Sequence, residues 1–149
     1  MMRLSKKADY GLMAMKHLAE HPHQAAYSAK ELSAAYHIPS ELLAKILQRL
    51  VKAGLLHSQH GTNGGYTLAR AAEKISAYEV IRAIDGPLFI TSCVTVRGDC
   101  DQSDLCTIKE PLRRVNESIE EVLRSITLAG MREEKSSEEK RSAELITLT

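Results

Sequence analysis

Apolar positions recur along the first part of the chain with the period of a helix. Leu4, Ala8, Gly11/Leu12, Met15 and Leu18/Ala19 follow an i, i+4, i+7, i+11 pattern, which predicts an amphipathic helix ended by His21-Pro22-His23. Ser28-Ala29-Lys30-Glu31 is a capping box, with Tyr27 and Leu32 where a hydrophobic staple sits, so a second helix starts at Ser28. Pro39 disfavours the α conformation at Ile38. A third helix restarts near Pro39-Ser40, with Leu43, Ile46, Leu47, Leu50 and Val51 inward and Gly54 closing it. The pattern then changes: Leu55-Leu56-His57-Ser58-Gln59 and Tyr66-Thr67-Leu68 flank His60-Gly61-Thr62-Asn63-Gly64-Gly65, which predicts two short strands and a glycine-rich hairpin loop.

A second capping box, Ser76-Ala77-Tyr78-Glu79, stapled by Ile75 and Val80, opens a helix that stops at Gly86-Pro87. From Leu88 to Cys106 no period is sustained, which predicts a long loop, and such loops are usually functional or disordered. Ile108, Leu112, Val115, Ile119, Val122 and Ile126 then alternate steps of four and three. That spacing makes one narrow apolar seam, as in a coiled-coil pair, and beside a small domain it predicts self-association into a homodimer. The expected organisation is a three-helix-and-hairpin module with its following helix over 1–86, a loop bearing the cysteines over 87–107, a dimerisation helix and its end over 108–131, and a charged, disordered tail over 132–149.

Composition supports a mainly α fold: of 149 residues 44% are hydrophobic and only 4% aromatic, with no Trp. No apolar run approaches the roughly 18 residues that span a bilayer, and the start of the chain is charged, so a cytoplasmic protein with no membrane partner is expected. The net charge of +1 hides a division. Residues 1–70 hold nine Lys/Arg against four Asp/Glu, residues 71–149 eleven against fifteen, and all six His precede residue 61. A basic front half points to a polyanionic partner.

Three helices followed by a glycine-tipped hairpin make a winged helix-turn-helix, whose third helix enters the major groove of double-stranded DNA. The non-core positions of that helix, Ser40, Glu41, Ala44, Lys45, Gln48, Arg49 and Lys52, mix short polar, amide and cationic groups of the kind that reach base edges and phosphates. At the wing, His60 and Asn63 offer hydrogen bonds, while Gly61 and Gly64 allow the tip to turn and approach the backbone. Arg3, Lys6 and Lys7 can add phosphate contacts, and Ser28, heading the second helix, is counted among the DNA-contact positions. The competing interpretation is a protein-interaction module with a solvated charged face. No Ser/His/Asp set, paired carboxylates or phosphate-binding glycine loop supports catalysis, so an enzyme is not expected.

Cys93, Cys100 and Cys106 are the only cysteines, spaced C-x6-C-x5-C. In a cytosolic chain an odd number in one short window suits an iron-sulfur cluster, 2Fe-2S or 4Fe-4S, better than disulfides. Zinc lacks its common C-x2-C pair, while a thiol switch and a redox protein on a winged-helix scaffold stay open. A cluster needs a further ligand. Asp9, Asp99, Asp101, Asp104, Glu110 or an external small molecule could supply it, and an oxygen ligand, being exchangeable, suits a sensor.

The opening Met2-Arg3-Leu4-Ser5-Lys6-Lys7-Ala8-Asp9-Tyr10-Gly11, the segment Leu47-Gln48-Arg49-Leu50-Val51-Lys52-Ala53-Gly54-Leu55, the wing Gly61-Thr62-Asn63-Gly64-Gly65-Tyr66-Thr67-Leu68, and three cysteines before a long helix together resemble the bacterial Rrf-two family over about residues 2–131. The resemblance implies a homodimeric winged-helix transcription regulator, a repressor on a palindromic operator, with one iron-sulfur cluster per subunit controlling DNA affinity. Asp85-Gly86-Pro87 and Ser125-Ile126-Thr127-Leu128-Ala129-Gly130-Met131 look most like the branch that regulates the SUF cluster-assembly operon. IscR-like members carry a histidine ligand three residues after the third cysteine, where this chain has Lys109. Some NsrR-like members use an aspartate on helix 1 of the partner subunit, and Asp9 matches it. The first cysteine gap is one residue longer than the usual five. Ala44 and His60 replace a glutamate and an arginine that bear on motif choice in IscR, so target sequence does not carry over.

Overall fold

The computed structural model describes residues 4–22, 25–62, 64–88 and 108–132. Among these, the main elements follow in the order α1 (Lys6–Glu20), α2 (Ala29–Tyr36), α3 (Ser40–Lys52), β1 (Leu56–Gln59), β2 (Gly65–Leu68), a 3-10 turn (Ala72–Lys74), α4 (Ala77–Asp85) and α5 (Lys109–Ser125). The mainly helical fold with a two-stranded wing is the one expected.

Caps define the helix starts. Ser5 accepts from the Ala8 amide at the head of α1, and both capping boxes form: Ser28 with Glu31, Ser76 with Glu79. Helix α2 ends at His37, which takes a left-handed conformation (φ 54°), and the chain is pinned there by the Ile38 amide donating to the Ser33 carbonyl at 3.2 Å. Gly54 (φ 78°) follows α3 as the C′ glycine.

One core lies at the meeting of α1 to α4 and the root of the wing. Met15, Leu32, Leu43, Leu47, Leu50, Ile75 and Val80 are fully buried in it. The wing strands pair antiparallel in the register Leu56–Leu68 to Gln59–Gly65. Strand β2 is also joined to the head of α2, because Tyr66 and Tyr27 exchange backbone hydrogen bonds of 2.7 and 3.2 Å.

Helix α5 leaves its apolar side uncovered: its one buried residue is Asn116, while Val115 and Val122 are 49% and 60% exposed. The chain breaks at Ile126, bridges Thr127 to Ser76, and turns into a short helix over 128–132. Leu128 and Ala129 of this turn are core residues, which the seam pattern does not anticipate. Arg124 lies over the Tyr78 ring at 4.3 Å and helps fasten α5 to α4.

Candidate nucleic-acid interface

The predicted DNA helix is split cleanly between core and solvent. Leu43, Ile46, Leu47 and Leu50 point inward, whereas Ser40, Glu41, Lys45, Gln48, Arg49 and Lys52 are exposed and Ala44 is half-buried. A helix with this division can lie in a major groove without losing its packing.

Neighbouring elements extend that face. Gln48 Nε2 donates to the Tyr66 hydroxyl at 3.2 Å, which ties α3 to the wing. Lys7 from α1 shares a small cavity of about 50 Å³ with Lys45 and Arg49. Lys6 is exposed, with its ammonium 5.5 Å from the Tyr10 ring centroid. Thus cationic groups from α1 and α3 gather around one small cavity, giving a surface suited to a phosphate backbone.

Besides Gln48, two further predicted contact residues are engaged within the fold. Arg49 Nη1 donates to the Ile84 carbonyl at 2.8 Å. The Ser28 hydroxyl accepts from the Glu31 amide at 3.1 Å, and its own amide donates to the Glu31 carboxylate. At the wing tip His60 and Gly61 are exposed, and the Gly64 amide closes the turn on the Gly61 carbonyl at 3.0 Å. Arg3 and Asn63 lie outside the described residues. Tyr66 was not singled out by sequence, although an exposed Gln48 opposite a tyrosine-bearing strand was a usable hint.

Asp9 sits in the first turn of α1, half-buried, and its carboxylate forms no hydrogen bond or ion pair with another described residue. Cys93, Cys100 and Cys106 lie outside the described residues, as does most of the 87–107 loop. Among the described residues no group of three or more His, Cys, Asp and Glu could hold a metal ion. No described helix is long and apolar enough to cross a membrane.

Along α5 the seam is open. Ile108 is 57% and Ile126 36% exposed, and Val115, Ile119, Val122 and Leu123 line a shallow groove, with Leu112 half-buried nearby along the helix. Arg113, on another part of the helix, pairs with Glu110 and Glu117, which hold its guanidinium firmly protonated.

A winged helix-turn-helix with an exposed third helix defines a DNA-binding regulator. The Rrf2 (Rrf-two) profile, described as an iron-dependent transcriptional regulator, matches residues 4–134. The chain belongs to this family. IscR of Erwinia tasmaniensis, an HTH-type transcriptional regulator, is 34% identical over 130 residues, 87% of this chain and 78% of that protein. Among solved structures, IscR of T. potens is 33% identical with a TM-score of 0.71, covering 90% of this chain and 88% of the other. CymR, the global cysteine regulator of B. subtilis, is 28% identical with a TM-score of 0.73, covering 89% and 98%. The chain is therefore a DNA-binding transcription regulator and not an enzyme.

Proposed function

We propose that this regulator is a homodimeric repressor whose affinity for a palindromic operator is set by an iron-sulfur cluster. The carrying observation is the combination of an exposed α3 face and an uncovered α5 seam within one chain. A seam of Ile108, Leu112, Val115, Ile119, Val122 and Ile126 seals against a second copy and sets two α3 helices at a fixed separation, which a two-fold operator requires. Lys6, Ser28, Ser40, Glu41, Ala44, Lys45, Gln48, Lys52, His60 and the wing glycines form the DNA side of each subunit, and Arg3 and Asn63 are assigned to it from the sequence alone.

Cys93, Cys100 and Cys106 would hold a 2Fe-2S or 4Fe-4S cluster, one per subunit, with Asp9 of the partner subunit as the fourth ligand. The donor chemistry fits: three thiolates suit iron and sulfide, and the Asp9 carboxylate is not committed to any described residue. When bound, the cluster supplies redox-responsive iron. Asp9 lies one turn from Ser5, whose carbonyl receives its amide at 3.2 Å, so a pull on Asp9 acts on the start of α1, where Lys6 and Lys7 stand. The family's iron-dependent description supports this reading, and the resemblance of Asp85-Gly86-Pro87 and residues 125–131 to the SUF-regulating branch extends the proposal to control of cluster-assembly genes.

An absorbance spectrum with iron and sulfide analysis, on protein purified without oxygen, tests it. The reading requires a brown protein with visible charge-transfer bands and matched iron and sulfide. Colourless protein without iron after reconstitution contradicts it, and bound zinc would replace it with a zinc-stabilised regulator.

A further inference from the structure

Arg49 occupies a place on α3 where a cation would be expected to meet a base or a phosphate. Instead its Nη1 reaches across the domain to the Ile84 carbonyl at 2.8 Å. Ile84 is buried in the last turn of α4, where helix carbonyls lack intrahelical partners and the helix dipole favours a cation. The next residue pulls the other way. The Asp85 carboxylate accepts from the Ser5 amide at 3.1 Å and also from the Ser5 hydroxyl, and Ser5 is the N-cap of α1.

Consecutive residues at the end of α4 therefore grip α3 and α1. The approach is close: a Cβ on Gly11 of α1 would lie 2.2 Å from Ile84 Cδ1. Gly86 follows directly, with its amide on the Arg82 carbonyl at 2.9 Å, and the sequence then runs on toward the three cysteines.

The chemistry of the fork bears on what else Arg49 can do. An end-on bidentate contact to guanine uses one N–H of Nη1 and one of Nη2, so the bond to Ile84 commits one of the two Nη1 donors and ties the orientation of the fork to the end of α4. We propose that Arg49 is a positioning residue that locks the DNA-facing helix to the end of α4, and that Asp85 is the second half of the same lock. This rests on the reading of the chain as a dimeric operator-binding regulator and deepens it. The lock fixes the angle of α3 against α1, and hence the half-site separation the dimer accepts.

The test uses the full-length dimer and the duplex it binds most tightly after selection from a randomised pool. Binding of wild type, Arg49→Gln and Asp85→Asn is measured on that duplex, on single-base variants of one half-site, on a version with its centre lengthened by one base pair, and across salt concentrations. Thermal melts check that both variants fold. Both should weaken binding by roughly three- to tenfold, the loss of one or more hydrogen bonds holding an element in place. The loss should be the same factor on every single-base variant, with a smaller penalty for the lengthened centre and an unchanged salt slope.

Relaxed preference at one base in Arg49→Gln alone would make Arg49 a base reader and overturn the proposal. A salt slope lower by about one would make it a phosphate contact and overturn the proposal equally. Wild-type affinity in both variants also overturns it. If wild type itself selects no duplex, the operator-binding reading fails first and the lock loses its role; Asp85→Asn keeps the test decisive should Arg49→Gln not fold.

Discussion

Substituting Gly65 by alanine should loosen the wing from the body of the domain. A Cβ at this position would lie 2.5 Å from the carbonyl carbon and oxygen of Tyr27 and 2.8 Å from the Ser28 nitrogen, all backbone atoms at the head of α2. No rotamer change relieves such a contact, so the strand or the helix start must move. The bonds at risk are those between Tyr66 and Tyr27, of 2.7 and 3.2 Å. Two backbone hydrogen bonds at about 1 kcal/mol each, with overpacking of about 1–3 kcal/mol, give a loss of roughly 3–5 kcal/mol if the site holds its shape. Relaxation reduces this, so about 2–4 kcal/mol is the expected loss. For a domain of this size that lowers the melting temperature by roughly 8–15 °C. Gly54→Ala is the control, because nothing lies within 4 Å of its Cβ and only the positive φ of 78° opposes it, at about 1 kcal/mol. Circular-dichroism melts of the two variants decide the matter. Gly65→Ala melting with wild type, or above Gly54→Ala, would refute the close approach as the reason for glycine here.

Val122→Asp should split the dimer: each copy would place a carboxylate in the seam where a 60% exposed valine now stands, and sedimentation should show at least a hundredfold weaker association, corresponding to about 3 kcal/mol. An undiminished dimer would place the interface elsewhere. Glu79 gives a pH prediction. Burial pushes its carboxyl up, but hydrogen bonds from Arg70 and Ser76 and the Arg70 charge outweigh this and hold it below its ordinary 4.5. A lowered folded-state value contributes stability above the unfolded value that is lost as pH falls through the folded one, so Glu79→Gln should melt below wild type at neutral pH and converge with it once the pH has fallen through that lowered value. Asp9→Ala should leave the fold intact but alter the cluster absorbance and speed cluster loss. An identical spectrum and stability would remove Asp9 as the ligand.

Local chemistry was legible in the sequence where one short segment contains both partners. The two capping boxes form as their four-residue patterns require, and Gly54 closes α3. The hairpin lies where the glycine cluster placed it, yet Gly65 serves close packing on α2 rather than the tip alone, and that depends on a helix 37 residues earlier. Helix periodicity marked Gln48 and Arg49 as exposed, but it carries no information about partners 18 and 35 residues away. Leu128 continues an apolar stretch beyond the seam, and only the turn at Ile126 sends it into the core. Pro39 marked the end of α2, whereas the left-handed conformation that His37, not a glycine, takes there was not announced by the residue pattern.

If the cluster governs DNA affinity, cluster-loaded and cluster-free protein must differ in an anaerobic titration against the promoter beside the regulator's own gene. Gel shifts at two salt concentrations separate specific from purely electrostatic binding. Control by the cluster requires affinities differing by at least tenfold, with both forms dimeric. Equal affinity in the two forms would rule out that control while leaving a DNA-binding Rrf2 regulator in place.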